Sequence, residues 1–497
     1  MRNIRSCVVV ALLAIACNLS AAQTQTISVD GTAAGAPFPH FWEEMFGSGR
    51  AVLALRAAYQ QDLREVKKAT GVRYVRGHAI LHDEVGVYDE DEHGNPIYNF
   101  TYVDQIYDAL LQIGVRPVVE ISFMPKKLAS NPAALHPFWY KQNVSPPKDY
   151  AKWDDLIRHL AQHLVDRYGI GEVAQWNFEV WNEPNIDFWA GEPKQPTYFE
   201  LYDHTVRALK SVSPMLRVGG PATAAADWVD AFLDHCAKNN IPVDFVSTHG
   251  YADDTEQNLF HNDTPVPMNQ RVCRAIGKVH GQIKASNFPN LPLFWTEWNV
   301  RGDQELRDTT YVAPALAYDI AQCDGLVTMM SYWTFDDVFE EGGVPRDPMH
   351  GGFGLIASGG IKKPSYYGYL LLHDLGSERL PNSAADVLVT RRPDGTLVVA
   401  LWNNVEPEQS GAAKQFHLQF KNVSPGGTVL VSRADDTHGN TLAAYTRLGS
   451  PQYPTMSQVE EINRAGQLPP PDAIALKNGT LDITVPINGL AILEVPR

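Results

Sequence analysis

Short apolar runs and amphipathic segments alternate along residues 41–332. Several of the runs are continuous rather than alternating, which is typical of parallel strands that are buried on both faces. The eight predicted strands are Phe41–Phe46, Tyr74–Gly77, Pro117–Ser122, Gln175–Val180, Arg217–Gly219, Phe245–Thr248, Leu293–Thr296 and Val327–Tyr332. Eight such strands predict an α/β fold, a (β/α)8 TIM barrel, in which active sites lie at the carboxyl ends of the strands.

The segments between these strands have helical periodicity. In residues 101–113, for example, Val103, Ile106, Tyr107 and Leu110 recur at spacings of three and four. The other predicted helices are Leu55–Thr70, Asp149–Tyr168, Thr197–Ser211, Ala226–Asn239, Asn269–Ala285 and Val312–Cys323. A doubly wound sheet is the competing arrangement, but the Gly-rich phosphate-binding turn that serves its usual function is absent from the sequence.

A different pattern begins after residue 375, where short alternating strands are separated by turns. It predicts an accessory β-sandwich domain over residues 376–497. Residues 23–37 also alternate and are predicted to join the sandwich, so that the catalytic barrel occupies residues 38–375. The polar, proline-rich segment Pro454–Asp472 is predicted to be a loop. We interpret the sandwich as a buttress of the barrel, with a separate binding module as the alternative.

The first 22 residues have the pattern of a secretory signal peptide. Arg2 and Arg5 precede the apolar run Cys7–Cys17, and small residues follow up to Ala22. The run is too short to span a bilayer. We therefore predict a secreted or periplasmic protein with no membrane attachment in its mature form. A net charge of −16 argues against nucleic acid and anionic membranes as partners.

Three cysteines remain after the signal peptide, namely Cys236, Cys273 and Cys323. They allow at most one disulfide, and none has a partner at metal-ligand spacing. We interpret them as small buried hydrophobic residues. The histidines also lack the spacing of a metal site, because HExxH is absent, and the sequence has no G-x-S-x-G elbow or P-loop. No metal or cofactor is expected.

Two of the predicted strands end at a glutamate that is flanked by tryptophan and asparagine. Glu183 follows the fourth strand, and Glu297 follows the seventh. A retaining glycosidase needs two carboxyl groups about 5–5.5 Å apart, one as nucleophile and one as acid and base. An isolated glutamate after a strand is more often a helix-capping acid, but two in this setting favour catalysis. We expect Asn182, beside the acid, to bind the sugar 2-hydroxyl.

Other polar and aromatic residues follow the predicted strands. Strand two ends in Arg76 and His78, and we expect Arg76 to pair with a carboxylate such as Glu297 and His78 to meet a sugar hydroxyl. His249 and Tyr251 follow strand six, where they are expected to position the nucleophile.

Strand eight continues into Trp333, whose indole is a natural platform for a sugar ring. Glu340 and Glu341 follow in the same segment. An acidic pair of this kind is usually a solvated loop feature, and the alternative is that both accept hydrogen bonds from sugar hydroxyls.

Several motifs, in this order along the chain, resemble glycoside hydrolase family 39, and within it the bacterial β-xylosidases. The resemblance covers nearly the whole mature chain. The motifs are Arg73–His78, Trp181–Asn185, Thr248–Tyr251, Thr296–Asn299, Tyr332–Phe335 with Phe339–Glu341, and Gly351–Leu355 before Lys363–Tyr367.

This resemblance implies a catalytic barrel with a sandwich built from both ends of the chain. It implies that Glu183 is the acid/base and Glu297 the nucleophile. It also implies that the xylose subsite is lined by His78, Asn182, Phe188, His249, Tyr251, Trp333, Glu340 and Glu341. The function that follows is a retaining, exo-acting β-xylosidase, which hydrolyses xylo-oligosaccharides from the non-reducing end by double displacement.

Two alternatives remain open. Another retaining barrel glycosidase, such as an endo-glycanase or an α-L-iduronidase, would share both glutamates. An iduronidase should need extra basic residues for its carboxylated substrate, and these are scarce near the motifs apart from Arg76. The second alternative is a catalytically inactive carbohydrate-binding protein. The sequence does not determine the oligomeric state.

Overall fold

The structure of the protein is a computed structural model that describes residues 24–382 and 384–496. The predicted signal peptide, residues 1–22, therefore lies outside the described residues. Within the described ranges, no helix combines the length and the apolar character that are needed to cross a membrane.

Eight parallel strands form a closed barrel. Each strand pairs with the next in the chain, and the eighth pairs with the first. The strands are β1 (Met45–Arg50), β2 (Tyr74–His78), β3 (Arg116–Ile121), β4 (Asn177–Val180), β5 (Arg217–Thr223), β6 (Phe245–His249), β7 (Leu293–Trp298) and β8 (Met329–Tyr332). The predicted (β/α)8 barrel is confirmed.

One long helix follows each barrel strand. The helices are α1 (Ala57–Thr70), α2 (Thr101–Ile113), α3 (Tyr150–Tyr168), α4 (Lys194–Val212), α5 (Val229–Asn239), α6 (Met268–Ala285), α7 (Val312–Cys323) and α8 (Pro364–Leu372). Short helices lie at Ala51–Leu55, Ile170–Val173, Ala224–Ala226, Glu256–Phe260 and Gln304–Arg307, and short strand pairs at Tyr88–Glu90 with Pro96–Tyr98 and at Ile356–Ala357 with Ile361–Lys362.

Local chemistry explains where several helices begin and end. The Asp149 side chain accepts hydrogen bonds from the backbone N–H groups of Ala151 and Lys152, which satisfies two free donors at the start of α3. Helices α1 and α2 end at Gly71 and Gly114, both with the positive φ angle that glycine adopts at low cost. The predicted boundaries of these helices are accordingly close to the observed ones.

The first predicted strand is displaced from the observed one. Phe41 and Trp42 are fully buried, but they lie in a turn before β1, which begins at Met45. An apolar run reports burial and does not by itself show whether the backbone pairs with a neighbouring strand. The prediction of a strand from Phe41 to Phe46 is therefore wrong for its first four residues.

The two ends of the chain meet in a pair of β-sheets. The smaller sheet has the order Thr24–Asp30, Lys414–Lys421, Thr480–Val485, and its first two strands are parallel. The larger sheet has the order Ala36–Pro37, Glu378–Leu380, Val387–Arg391, Leu397–Asn403, Gly489–Val495, Thr428–Ala434, Asp472–Ala475. Apolar residues from both sheets form one separate hydrophobic core, as in a sandwich.

Two further helices, Thr441–Arg447 and Met456–Gly466, lie in the C-terminal region. The prediction of a loop over Pro454–Asp472 is wrong for Met456–Gly466, because Thr455 and Gln458 form a reciprocal capping box that starts the second helix. Buried Ile462 packs in a small cluster with Ile361, which precedes α8. This part of the chain therefore contacts the barrel side of the molecule.

One disulfide joins two neighbouring helices of the outer ring. Cys273 in α6 and Cys323 at the end of α7 are bonded, with their Cα atoms 5.1 Å apart, whereas Cys236 is free and buried. The interpretation as small buried residues holds for Cys236 and is wrong for the other two. Residues separated by 50 positions meet here because α6 and α7 pack side by side.

Candidate active site

Glu183 lies just beyond the carboxyl end of β4, where the chain leaves the barrel sheet. Its backbone has a positive φ angle of 43°, and its N–H donates to the Ala222 carbonyl at 2.8 Å. Its Oε1 lies 3.0 Å from Nδ1 of His249. Burial raises the pKa of Glu183 to about 7, against the opposing effect of the His78 and Arg76 charges. The side chain is thus suited to carry a proton near neutral pH.

Glu297 lies on β7, and both of its carboxylate oxygens have donors. Nη1 of Arg76 donates to Oε1 at 2.7 Å, and the hydroxyl of Tyr251 donates to Oε2 at 2.7 Å. The expected pairing of Arg76 with Glu297 is therefore present. Nδ1 of His249 lies 3.6 Å from Oε1. Donors from β2 and from the segment after β6 hold this carboxylate in one orientation.

The two glutamates face each other closely. A carboxyl oxygen of Glu183 lies within 4.8 Å of one of Glu297, and a ring nitrogen of His249 is within the same distance of both. Retaining glycosidases hold their carboxyl groups about 5–5.5 Å apart, whereas inverting enzymes keep them at about 6.5–9.5 Å to admit a water. The separation in this protein matches the retaining arrangement.

Arg76 is the centre of a buried charge cluster inside the barrel. Besides Glu297, its guanidinium contacts Glu179 through Nε, Glu120 at 2.7 Å and the amide oxygen of Asn182 at 2.9 Å. Arg76, Glu120 and Glu179 are completely buried. A buried guanidinium of this kind is stable only when its donors meet several acceptors. One arginine thereby ties β2 to β3, β4 and β7.

Sequence reasoning missed Glu120 and Glu179. Both stand inside strands predicted to be buried on both faces, in the runs from Pro117 to Ser122 and from Gln175 to Val180. A charged residue in such a strand needs a buried partner, since an unpaired buried charge is very costly. A glutamate in a predicted buried strand was therefore a sign of a buried ion pair. The sequence did not show that Arg76 is the partner.

His78 ends β2 and lies among three acidic groups. Its Nδ1 lies 2.7 Å from Glu120, and its Nε2 lies 3.7 Å from Glu297 and 3.8 Å from Glu341. Burial alone would lower the pKa of His78, but the Glu120 carboxylate raises it above the usual value. A raised pKa favours the protonated ring, so the Nε2–H of His78 can donate a hydrogen bond between Glu297 and Glu341.

Trp333 follows β8 and stands next to His78, with the two ring centres 4.7 Å apart. The side-chain amide of Asn299 donates to the Trp333 carbonyl at 2.8 Å. A Cβ atom on Gly47 in β1 would come within 2.3 Å of the indole. Glycine at this position in β1 is what leaves room for the tryptophan.

Asn182 precedes Glu183 directly in the chain, and Phe188 follows it in the segment after β4. Because Arg76 binds the amide oxygen of Asn182, the Nδ2 group of this side chain is oriented to donate. The Phe188 ring stacks on His136 with centres 3.9 Å apart, and its carbonyl accepts a hydrogen bond from the Trp181 indole at 2.7 Å. The long segment after β3 contributes His136, which sequence reasoning did not identify.

Glu340 and Glu341 are neighbours in the chain but belong to different clusters. Burial raises the pKa of Glu341 to about 8, and this side chain lies close to His78 in the catalytic centre. Both carboxylate oxygens of Glu340 are instead bound by the guanidinium groups of Arg50 and Arg56. Glu340 was expected to line the sugar site together with Glu341. It lacks the contact with His78 that Glu341 has.

Two groups of His and Glu side chains bring metal-ligand atoms close together in the described residues. One contains Glu183, Glu297 and His249. The other contains His40, Glu43 and His373, where each Nδ1 lies within hydrogen-bond distance of the buried Glu43 carboxylate, at 2.7 and 2.9 Å. Hydrogen bonding to a buried carboxylate accounts for this second group.

The closed barrel and the closely spaced carboxyl groups at the ends of β4 and β7 define the class of retaining-type barrel glycosidases. Comparison with known proteins agrees with this class. The family model described as Glycosyl hydrolases family 39 matches residues 25–474. The protein belongs to this family and is a glycoside hydrolase.

The most similar relatives include two bacterial enzymes named β-xylosidase. The chain is 39% identical over 440 residues to that of Geobacillus stearothermophilus, with 86% of each chain covered. It is 36% identical over 442 residues to that of Caldicellulosiruptor saccharolyticus, covering 86% of this chain and 88% of the other. The crystal structure of a monomeric β-xylosidase from Caulobacter crescentus CB15 has a TM-score of 0.86 and 34% identity, covering 95% and 99% of the two chains.

Proposed function

We propose that this protein is a retaining, exo-acting β-xylosidase that removes xylose from the non-reducing ends of xylo-oligosaccharides. The observation that carries the proposal is the pair of glutamates within 4.8 Å of each other in unequal surroundings. Glu183 is mostly shielded from solvent and lies beside an imidazole, while Glu297 is bound by Arg76 and Tyr251. The substrate is inferred from the relatives named β-xylosidase, which match over most of their length.

In the first step, Glu297 attacks the anomeric carbon while Glu183 gives its proton to the leaving oxygen. A bond forms between the Glu297 carboxylate and C1, and the bond from C1 to the leaving oxygen breaks. The pKa of Glu183, about 7, allows this group to be protonated before the step. Tyr251 and Arg76 keep the nucleophile aimed at C1.

In the second step, Glu183 acts as the base. It takes a proton from water, the water oxygen bonds to C1, and the Glu297 carboxylate leaves, which returns the enzyme and releases xylose with its β configuration. Burial lowers the pKa of His249 to about 4, so this ring is neutral at working pH. A neutral ring beside Glu183 adds no positive charge that would force the acid to ionise. The cycle needs only the two carboxyl groups and water.

We assign the sugar-binding surface to residues around this pair. His78 and Glu341 face the centre from the ends of β2 and β8, and Asn182 offers an oriented amide beside the acid. A neutral sugar suits this surface, because Arg76 is already bound to three carboxylates. The proposed set is His78, Asn182, Phe188, His249, Tyr251, Trp333 and Glu341, with Glu340 as an outer support.

We also propose that the protein is exported after removal of residues 1–22. The disulfide between Cys273 and Cys323 supports an oxidising compartment, where such bonds persist. Within the mature chain we propose residues 38–375 as the catalytic unit, and residues 376–497 with 23–37 as its supporting sandwich.

The proposed function is tested by hydrolysis of nitrophenyl β-D-xyloside beside the β-D-glucoside, α-L-arabinoside and α-L-iduronide. The products are followed by NMR from the first turnover. Preferential release of β-xylose is expected. Release of the α anomer would remove the nucleophile role from Glu297, and preferential cleavage of the iduronide would change the substrate assignment.

A further inference from the structure

One arginine at the end of β1 joins three of the segments that follow barrel strands. Arg50 forms ion pairs with Glu84 at 2.7 Å and with Glu340 at 2.8 Å. Its guanidinium carbon also lies 5.5 Å from the ring centre of Trp139 and 5.2 Å from that of Tyr140. These five residues, which we call the Arg50 clasp, come from β1 and from the segments after β2, β3 and β8.

The clasp brings together segments that are distant in sequence. Arg50 is only 4% exposed, so its charge is satisfied by these partners rather than by solvent. A guanidinium over aromatic rings adds an attraction that strengthens as water is excluded. A separate hydrogen bond reinforces the closure, since the backbone N–H of Trp139 donates to the Glu341 carbonyl at 2.9 Å. The segment after β3 is thus attached directly to the residue that faces the catalytic centre.

The clasp residues Arg50 and Glu340 lie across the barrel from Glu183. Glu183 follows β4, and Glu340 follows β8, which lies four strands away in the closed barrel and therefore on the opposite side. The leaving oxygen must lie at Glu183, because this acid protonates it. A terminal sugar held this way would extend away from β4, with its C4 end on the side of Arg50 and Glu340.

We propose that the Arg50 clasp closes the end of the sugar site that is remote from the cleaved bond and so limits the enzyme to one terminal sugar. This inference rests on the proposed function and assigns its exo action to particular residues. Arg50 is a positioning residue, which acts through the loops that it holds. With the clasp intact, a second sugar attached at C4 meets Trp139 and the segment around Glu340. With the clasp opened, the same position admits a further unit.

The test measures which product is cut from the non-reducing end of xylotetraose labelled at its reducing end. The wild-type enzyme is expected to release only xylose in the first turnovers. Arg50→Ala and Trp139→Ala are expected to release xylobiose as well, with the initial ratio of xylobiose to xylose raised at least about tenfold. Trp139 is 54% exposed, so this variant should fold even if Arg50→Ala does not.

Arg56→Ala is the matched control. It removes the same charge from the same carboxylate, since Arg56 also pairs with Glu340, but it leaves the contacts of Arg50 with Glu84, Trp139 and Tyr140 in place. Its product ratio should equal that of the wild type. The inference is overturned if folded Arg50→Ala and Trp139→Ala proteins still release xylose alone, or if the wild type already releases xylobiose. Failure of the proposed function would appear differently, as a wild type inactive on nitrophenyl β-D-xyloside.

Discussion

The two glutamates that we propose as the catalytic pair have the same side chain but different immediate surroundings. Glu183 is mostly shielded from solvent next to a neutral His249, and its pKa is raised to about 7. Glu297 receives hydrogen bonds from a guanidinium and from a tyrosine hydroxyl. Two carboxyl groups in contrasting environments are what acid and nucleophile roles require. The assignment of roles therefore follows from contacts of single residues.

The pH dependence of the enzyme should report the acid. Glu183 must be protonated for the first step, so kcat/KM for xylobiose should fall as the pH rises through about 7. The measurement is kcat/KM for xylobiose across the neutral range. A profile that stays flat well above that pH would contradict the role of Glu183 as acid.

Substitution of each glutamate should have a different effect. Glu297→Ala should abolish turnover of every xyloside, because no nucleophile remains. Glu183→Ala should lower kcat on xylobiose by about 10²–10⁴-fold, and should retain cleavage of nitrophenyl β-D-xyloside, whose leaving group needs no proton. Added azide should then intercept the glycosyl-enzyme of Glu183→Ala, with β-xylosyl azide detected by NMR. Formation of β-xylosyl azide by the Glu297→Ala protein instead would exchange the two roles, because a variant that lacks only the nucleophile should give the α-azide by direct attack on the β-xyloside.

At the scale of elements, the barrel strands combine hydrophobic runs with charges that face inward. Arg76, Glu120, Glu179 and Glu297 stand on four different strands and meet in the buried centre. The sequence predicted the strands because apolar runs of this length are typical of parallel sheets. It predicted the pairing of Arg76 with Glu297 but not the part played by Glu120 and Glu179, because strand order and register decide which inward side chains touch.

The close packing of Gly47 in β1 against Trp333 after β8 can be tested by substitution. In Gly47→Ala, the new Cβ would overlap the Trp333 indole at 2.3 Å, so the ring must move. Overpacking of this kind costs about 1–3 kcal/mol, and we expect kcat/KM for nitrophenyl β-D-xyloside to fall at least about tenfold. Steady-state kinetics and thermal unfolding measure the two effects.

Gly281→Ala in α6 is the control for this substitution. A Cβ atom at Gly281 meets nothing within 4 Å, and alanine is the better helix residue. Its kinetics should match the wild type. Equal kinetics for Gly47→Ala as well would show that Trp333 does not need its observed position.

At the scale of the whole molecule, distant parts of the chain are joined at a few points. The first described strand pairs with Lys414–Lys421, which brings the N-terminal segment into the C-terminal sandwich. The disulfide joins α6 to α7 on the outside of the barrel. Such connections contribute to stability without contacting the catalytic centre, so stability and activity should respond separately when they are removed.

The disulfide should stabilise the fold without affecting the chemistry. Closing a loop of 50 residues restricts the unfolded chain, and its removal should lower the free energy of unfolding by at most about 4 kcal/mol. The Cys273→Ser, Cys323→Ser double variant should therefore unfold at lower urea, while kcat/KM at room temperature stays unchanged. Cys236→Ala, which removes a buried but unbonded cysteine, is the control. Equal urea midpoints for the wild type and the double variant would show that the disulfide does not stabilise the fold.

The sequence by itself determined the alternation of strands and helices, the sandwich after residue 375, and the two glutamates at strand ends. These features depend on local periodicity and on neighbouring residues, which a linear pattern contains. The tertiary structure alone decided that Glu340 binds Arg50 while Glu341 faces His78, and that Cys273 meets Cys323. Such choices depend on distances between segments far apart in the chain, which are set only when the barrel closes.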